Sequence, residues 1–213
     1  MSRRFFPGAV RALWRVRSFL ACTAGRLSGR LLRLLGRGAT TFPGKLALTI
    51  APNLLSDLTA GHRVFLVTGT NGKTTSVRML CKILEEQGLA VITNPSGANL
   101  DSGLTTTLLE NLALLRRDRG PVRKIALVFE IDEAFFARLA ARIKPDICLV
   151  TNFFRDQLDR FGELQHTRDL IARGLAESKA TAVLCADDSL CASLGKDRPF
   201  PTFYFGMKAS CLT

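Results

Sequence analysis

No uncharged apolar stretch in the 213 residues approaches the roughly 18 residues that a membrane-spanning helix needs. Histidine occurs only twice, as His62 and His166, and the six cysteines include no C-x-x-C pair. These shortages argue against a metal cage within the chain and against the disulfide framework of a small secreted protein. We therefore expect a chain that does not span a bilayer and keeps its thiols reduced in an intracellular compartment.

Acidic side chains are missing from the first 45 residues, which hold ten of the 30 basic ones. Without that segment the formal net charge falls from +12 to about +2, so the rest of the chain is nearly neutral. A basic surface across the folded domain is the usual signature of nucleic-acid binding. Its restriction to one segment argues against nucleic acid as the partner.

Residues 1–45 are predicted to form a basic amphipathic N-terminal segment. Basic positions recur at helical spacing with leucines one step further round: Arg26, Arg30, Arg33 and Arg37 beside Leu27, Leu31 and Leu34. This pattern suits the anionic surface of a membrane. A mitochondrial presequence and a solvated basic helix packed on the domain are the two alternatives. A break after the helix is predicted by four residues: Gly36, Gly38, Pro43 and Gly44.

Short apolar strands alternate with helical segments from His62 onward. Strands are predicted over residues 63–67, 89–93, 124–129, 146–150, 182–185 and 202–205. Helices are predicted over residues 73–87, 104–116, 133–142 and a segment that ends near residue 178. Strict alternation predicts an α/β fold with a doubly wound parallel sheet of the P-loop NTPase type. Ligands in this architecture bind at the carboxyl ends of the strands.

The first predicted strand runs directly into a phosphate-binding loop and then a helix: Val67-Thr68-Gly69-Thr70-Asn71-Gly72-Lys73-Thr74-Thr75. Such a turn aims backbone N–H groups and the positive end of the helix dipole at one point, where a polyphosphate can bind. We predict that residues 69–75 bind ATP, that Lys73 reaches the β- and γ-phosphates, and that Thr74 ligates Mg²⁺. Val67 takes the place of the first glycine in the common G-x-x-x-x-G-K-[ST] pattern.

Glu130 follows the apolar strand that ends at Phe129. A carboxylate at this position lies beside the phosphate loop, where a divalent cation takes oxygen ligands and bridges the phosphates. We predict Glu130 and Thr74 as magnesium ligands. An acidic residue at a strand end can instead supply the negative charge at the start of the next helix, a role open to Asp132 and Glu133.

Asn152 follows the strand predicted over residues 146–150. Its amide can touch a phosphate or the nucleophile there, so we predict a catalytic role for Asn152 together with Lys73. Arg155 and Asp159, a few residues further on, have the spacing of an ordinary exposed helical pair.

A loop of small and amide residues follows the second predicted strand, from Pro95 to Gly103. Because this loop faces the same crevice, we predict that substrate is bound by Asn94, Ser96 and Asn99. The alternative is an ordinary polar turn.

Together these motifs resemble the Mur ligase superfamily, whose phosphate loop has the form G-T-x-G-K-[ST]. Four segments are similar to its MurT-like branch, the Mur-type subunits of lipid II isoglutaminyl synthase: residues 36–45, 94–100, 129–133 and 151–163. The similarity covers nearly the whole chain, including its basic start, which weakens the presequence interpretation. It implies that residues 46–213 form the family's central ATP-binding domain.

The resemblance also implies a function. The protein would use ATP and Mg²⁺ to phosphorylate the α-carboxylate of D-glutamate in the lipid II stem peptide, and ammonia would convert the acyl phosphate to D-isoglutamine. The ammonia would come from a separate glutamine amidotransferase subunit that is GatD-like. Lipid II and the membrane surface would be further partners, which places the protein in the bacterial cytoplasm at the inner face of the plasma membrane.

Three positions depart from most Mur ligases. Gln157 stands where they have the histidine of D-H-[LM]-D, and Ala172 lies near the place of their carbamylated lysine. Cys185 replaces the asparagine of N-A-D-D. The first two departures fit the MurT-like branch, and the third removes a side chain that would contact adenine.

MurT-like proteins continue into a zinc ribbon and a C-terminal domain, so this chain is expected to be incomplete and inactive as a ligase alone. Zinc is expected in the rest of such a protein and not within this chain. Another Mur-type amide ligase, such as a relative of folylpolyglutamate synthase, is one alternative function. A nucleotide-binding or membrane-surface module without ligase chemistry is the other.

Overall fold

A computed structural model describes residues 8–36, 40–95, 97–118, 124–153 and 161–207. Its centre is one sheet of six parallel strands in the order β2-β3-β1-β4-β5-β6. The strands span Arg63–Thr68 (β1), Ala90–Thr93 (β2), Ile125–Glu130 (β3), Ile147–Val150 (β4), Thr181–Cys185 (β5) and Thr202–Phe205 (β6). All six lie where the sequence predicts them, and the predicted α/β fold with a parallel sheet is confirmed.

Nine helices flank the sheet in the described ranges. They are Gly8–Leu34 (α1), Phe42–Ile50 (α2), Leu54–Thr59 (α3), Lys73–Glu86 (α4), Asp101–Glu110 (α5), Leu112–Arg117 (α6), Glu133–Ile143 (α7), Phe161–Ser178 (α8) and Ser189–Ser193 (α9). Within these ranges, none of them combines the length and the apolar character that crossing a bilayer requires.

Alternate residues of the central strands form cores on both faces of the sheet. On one face Val67 of β1 and Val128 of β3 pack against Val77 and Leu84 of α4. On the other face the strands pack against α5, α7 and α8 through a larger cluster that includes Leu66, Leu127, Phe129, Leu104, Phe136 and Ile171. Helices on both faces make the sheet doubly wound, as its alternating strand and helix pattern predicts.

The helix predicted over residues 104–116 is two helices. α5 begins earlier, at Asp101, and a turn at Asn111 separates it from α6. The Asn111 side chain donates a hydrogen bond of 2.9 Å to Thr107 O, which caps the end of α5. Apolar periodicity continues through this turn, so the sequence pattern alone merges the two helices.

The segment from Gly36 to Gly44 contains both a break and the start of a helix. α1 ends at Leu34, and Gly36 has φ +66°, as the predicted break requires; Gly38 lies outside the described residues. The expectation of a break is wrong for Pro43 and Gly44, which lie in the first turn of α2. Proline loses no hydrogen bond at the start of a helix because the first N–H groups have no partner within it.

α1 packs on α2 and α5 through a small cluster of its own: Ala21, Cys22, Ala47, Leu54, Leu109 and Leu112. Gly44 allows α2 to approach α5, since a Cβ at this position would lie 1.9 Å from Ser102 O. The predicted domain boundary between residues 45 and 46 falls within α2. The division of the chain into two domains stays a prediction.

β1 lies between β3 and β4 in the sheet. In register, Val67 of β1 pairs with Glu130 of β3, and Thr68 of β1 pairs with Val150 of β4. The three carboxyl ends therefore meet at one edge, where the segments that follow each strand can contact one another.

Candidate nucleotide site

The phosphate loop joins β1 to α4 through residues 69–72. Gly72 is the N-cap of α4 and has φ +80°, a left-handed conformation that favours glycine. It provides no side-chain cap for the helix, so backbone N–H groups of the first turn are left for a ligand. An anion at this point would also interact favourably with the helix dipole.

Gly69 lets the phosphate loop touch the end of β4. Its φ is +121°, and a Cβ there would lie 2.3 Å from Thr151 Oγ1 and 2.9 Å from Asn152 O. The neighbouring Thr70 N–H donates a hydrogen bond of 2.9 Å to the same Asn152 O. The loop therefore rests directly on the segment after β4, and a side chain at position 69 would separate the two.

The Asn152 side chain holds the backbone of Asn71 at two points. Its Oδ1 accepts from Asn71 N–H at 3.0 Å, and its Nδ2 donates to Asn71 O at 3.1 Å. Thr151 Oγ1 donates to the same Asn71 O at 2.8 Å. In this arrangement Asn152 fixes the shape of the loop; the catalytic role predicted for it stays a prediction.

Lys73 folds back over the loop at the start of α4. Its Nζ donates to Gly69 O at 2.6 Å and to Thr70 O at 3.3 Å. The same ammonium lies 3.5 Å from Glu133 Oε1, with the two side chains 14% and 19% exposed. Lys73 therefore lies on the phosphate loop with Glu133 beside its charge, and its contact with phosphates stays a prediction.

Thr74 and Glu130 meet across the crevice. The Thr74 hydroxyl donates a hydrogen bond of 2.9 Å to Glu130 Oε2. A hydroxyl and a carboxylate side by side suit Mg²⁺, which binds few protein ligands and keeps water or phosphate oxygens for the rest. The described residues contain no group of three or more histidine, cysteine, aspartate or glutamate side chains that could form an all-protein metal site.

Asn94, at the end of β2, holds the backbone of Glu130. Its Oδ1 accepts from Glu130 N–H at 2.9 Å, and its Nδ2 donates to Glu130 O at 3.0 Å and to Ala98 O at 3.2 Å. The side chain is 6% exposed. This buried amide positions Glu130, a role that sequence reasoning missed, whereas its predicted contact with substrate stays a prediction.

The remaining predicted positions lie at the border of the crevice or outside the described residues. Asn99 is half-buried, and Thr75 is exposed on the first turn of α4. Ser96 lies outside the described residues, as do Arg155, Gln157 and Asp159. Substrate binding by Ser96 and Asn99 therefore stays a prediction.

Sequence reasoning also missed the contacts of two acidic residues around this crevice. The sequence predicts for Glu133 only the role of a negative charge at the start of a helix, yet its carboxylate lies beside the Lys73 ammonium. Asp188 accepts from Phe153 N–H at 2.7 Å and from Cys191 N–H at 2.8 Å, which ties the segment after β4 to α9. The only sequence signal for either is position, because both acids follow a strand of the same sheet.

The buried thiols of Cys148 and Cys191, near these strands, are unreactive at neutral pH. Burial raises the pKa of Cys148 on β4 and of Cys191 on α9 to about 12 in each case. Since the thiolate is the reactive form, neither thiol is a candidate nucleophile at neutral pH.

Relatives from two bacteria are similar to this chain over most of its length. The MurT subunit of lipid II isoglutaminyl synthase (glutamine-hydrolyzing) from Streptococcus pneumoniae is 39% identical over 174 residues, which are 82% of this chain and 37% of that protein. The subunit of the same name from Staphylococcus aureus is 31% identical over 195 residues, or 91% of this chain and 43% of that protein. The chain thus spans less than half the length of these curated relatives.

Solved structures agree with the fold. MurF ligase from Thermotoga maritima, solved in complex with ADP, is 25% identical with a TM-score of 0.58, over 75% of this chain and 36% of that one. MurF from Acinetobacter baumannii, at 18% identity and a TM-score of 0.56, supports the fold alone and covers 78% of this chain and 35% of its own. The Mur ligase middle domain matches residues 67–211, from the end of β1 onward. The chain therefore belongs to the Mur ligase family.

Proposed function

We propose that this chain is the nucleotide-binding part of an ATP-dependent carbon–nitrogen ligase in peptidoglycan biosynthesis. The observation that carries the proposal is the hydrogen bond between Thr74 and Glu130 at the ends of β1 and β3, directly beside the phosphate loop over which Lys73 folds. The names of the MurT relatives support lipid II as the substrate and an isoglutaminyl product. The reaction would convert the D-glutamate α-carboxylate of the stem peptide to D-isoglutamine.

The residues of the crevice suit the first half of such a reaction. A carboxylate oxygen attacks the γ-phosphorus of ATP, ADP leaves, and the acyl phosphate that forms has phosphate as a good leaving group. Lys73 and the N–H groups at the start of α4 would stabilise charge on the transferred phosphoryl group. Thr74 and Glu130 would hold Mg²⁺, which neutralises the phosphate oxygens.

The second half requires ammonia. Its nitrogen attacks the acyl carbon, phosphate leaves, and the extra proton passes to solvent. The words "glutamine-hydrolyzing" and "subunit" in the names of both relatives support a separate amidotransferase subunit, GatD-like, as the source of the ammonia.

Substrate contacts are proposed for Asn94, Ser96 and Asn99. The cytoplasmic face of the plasma membrane is the proposed location of the protein. Zinc is proposed for the remainder of a longer protein.

Nucleotide binding is the first test. The full chain is titrated with ATP in the presence of Mg²⁺ by calorimetry, as wild type, Lys73→Met and Lys82→Met. Lys82 lies on the same helix but is 79% exposed and pairs with Glu85, so it is a matched control. We expect weak binding by the wild type and by Lys82→Met, and no measurable heat from Lys73→Met. Equal heats from all three proteins would refute the proposed site.

Amidation is the second test. A longer protein that contains this sequence is combined with a glutamine amidotransferase, lipid II, glutamine, ATP and Mg²⁺, and the stem peptide is examined by mass spectrometry. Conversion by a longer protein that contains this sequence, abolished by Lys73→Met, would support the ligase. Addition of an amino acid instead of an amide would favour the UDP-N-acetylmuramate–L-alanine ligases, of which that from Mycolicibacterium vanbaalenii is 33% identical over 144 residues.

A further inference from the structure

A cleft of about 200 Å³ lies between α1, the start of α2 and α5, away from the nucleotide crevice. Its polar lining comes mainly from α1 and α5: Arg26, Arg30, Arg33, Thr106 and Glu110. Glu110 forms an ion pair with Arg33. Arg26 and Arg30 have no acidic partner among the described residues, so two positive charges in this cleft are left without a counter-charge.

Glycines give the cleft its shape. A Cβ at Gly25 would lie 2.6 Å from Leu109 Cδ1, and one at Gly29 would lie 3.3 Å from Pro43 Cγ. α1 can therefore approach α2 and α5 closely at these positions. A concave space with unpaired guanidinium groups at its border suits a phosphate, which arginine binds through paired hydrogen bonds.

An exposed apolar stripe runs along α1 beside these arginines. Its members recur at helical spacing and are 54% to 85% exposed: Val16, Leu20, Leu27, Leu31 and Leu34. At 3.6 residues per turn they fall on one line, with Arg30 and Arg26 on its flank. The opposite side of the helix packs on the domain through Ala21 and Cys22. The stripe therefore faces away from the domain core.

We propose that this surface of α1 binds an anionic membrane lipid, with its headgroup phosphate in the cleft and the leucine stripe against the acyl chains. Arginine alone would suit any polyanion, soluble or lipid-bound. The exposed leucines beside the arginines stabilise binding only if they are buried against apolar groups such as acyl chains. The combination therefore favours a lipid over a soluble phosphate or a nucleic acid.

This surface would hold the domain on the bilayer through α1 and the cleft beside it. The inference rests on the proposed function in one respect, since a lipid-linked substrate gives such docking its purpose. The geometry of the cleft and the stripe is independent of nucleotide chemistry.

Vesicle sedimentation tests the cleft. The full chain is mixed with vesicles of phosphatidylcholine alone or of equimolar phosphatidylcholine and phosphatidylglycerol. We expect binding to the anionic vesicles and a loss of about tenfold or more in Arg26→Gln/Arg30→Gln, since each basic residue at such a surface contributes about 1 kcal/mol. The control Arg78→Gln/Arg173→Gln removes the same charge from exposed positions on α4 and α8 and should bind like wild type. An equal loss of vesicle binding in both double variants would refute the proposed role of the cleft in binding the headgroup.

A second pair of variants tests the stripe. Leu27→Ser/Leu31→Ser should bind anionic vesicles less tightly than Met79→Ser/Ile83→Ser, whose targets on α4 are 62% and 54% exposed. All four side chains are more than half exposed, so the thermal unfolding midpoints should stay close to wild type. Equal vesicle binding by the two double variants would overturn the role of the stripe.

Two further arms identify the ligand and separate this inference from the proposed function. Inorganic pyrophosphate that binds Lys73→Met and is lost in Arg26→Gln/Arg30→Gln, while anionic vesicles do not bind the wild type, would overturn the membrane proposal in favour of a soluble phosphate. Lys73→Met should bind vesicles like wild type. Vesicle binding by a protein that does not bind ATP would refute the proposed ligase function and support the lipid-binding surface.

Discussion

Asn94 holds both sides of the Glu130 peptide backbone, accepting from its N–H at 2.9 Å and donating to its carbonyl at 3.0 Å. Asn94 directly follows β2, and Glu130 is the last residue of the neighbouring strand β3. A buried amide that is 6% exposed thus fixes the position of the carboxylate that meets Thr74. The position of Glu130, the predicted magnesium ligand, therefore depends on Asn94, although Asn94 does not contact the Thr74 hydroxyl.

Replacing Asn94 should cost both stability and nucleotide binding. Asn94→Ala removes the partner of the half-buried N–H and carbonyl of Glu130 and of the buried carbonyl of Ala98, so we expect the free energy of unfolding to fall by about 2–3 kcal/mol. Magnesium-dependent ATP binding should weaken as well, because Glu130 loses its support. Urea unfolding and calorimetry measure the two effects. Asn99→Ala, at a half-buried neighbour in the same loop, should change stability by less than about 0.5 kcal/mol.

The two glycines of the phosphate loop should respond differently to alanine. A Cβ at Gly69 would lie 2.3 Å from Thr151 Oγ1, whereas one at Gly72 would meet nothing within 4 Å. Both have positive φ, which costs an alanine about 1–2 kcal/mol, and overpacking at position 69 adds about 1–3 kcal/mol. We expect Gly69→Ala to be clearly the less stable variant in urea. Equal losses would mean that the contact with Thr151 has no part in holding the loop.

Local pattern was enough to predict the sheet, because each strand is a short apolar run bounded by turn residues. It was enough to predict the loop and the helix that begins at Lys73 too, since their spacing is local, whereas the ligand contacts of Lys73 and Thr74 stay predictions. The clamp of Asn94 on Glu130 joins residues 36 apart, and the contact of Asn152 with Asn71 joins residues 81 apart. Such pairings depend on strand order, which the sequence pattern leaves open. The sequence therefore predicts Asn94 and Asn152 only as ligand contacts, which stay predictions, and does not show their hydrogen bonds to the backbone.

α2 illustrates a different difficulty. Pro43 and Gly44 are typical of a break, and a glycine inside a helix costs about 1 kcal/mol relative to alanine. Here Gly44 is required by the approach of α2 to α5, with a Cβ position 1.9 Å from Ser102 O. Tertiary packing of α2 on α5 thus overrides the low helix propensity of this segment.

The Thr74 hydroxyl should be required for the effect of magnesium on ATP affinity. Thr74→Val keeps the shape of the side chain but removes the group that donates to Glu130 at 2.9 Å. We expect Thr74→Val and Glu130→Gln to bind ATP with the same affinity in Mg²⁺ as in chelator. Thr74→Ser keeps the hydroxyl and should retain the dependence on Mg²⁺. A dependence that survives in all three variants would place the metal elsewhere.

Cys148 should make the protein less stable in alkali. Burial raises the pKa of its thiol to about 12 in the folded protein, against an ordinary value of 9.0 for the unfolded chain. Between these pH values the unfolded chain loses the thiol proton while the folded protein keeps it. Stability is therefore unaffected by this group below pH 9.0 and falls as the pH rises towards about 12.

The size of this loss of stability follows from the difference between the pKa values of the folded and unfolded states. One pH unit above the unfolded pKa corresponds to about 1.4 kcal/mol for a group that stays protonated when folded. Cys148→Ala lowers stability at neutral pH by leaving a cavity but removes this dependence. Urea unfolding at about pH 8 and about pH 10 should show wild type losing about 1 kcal/mol more than Cys148→Ala over that interval. Other groups titrate equally in both proteins, so parallel losses would mean that Cys148 is accessible to solvent.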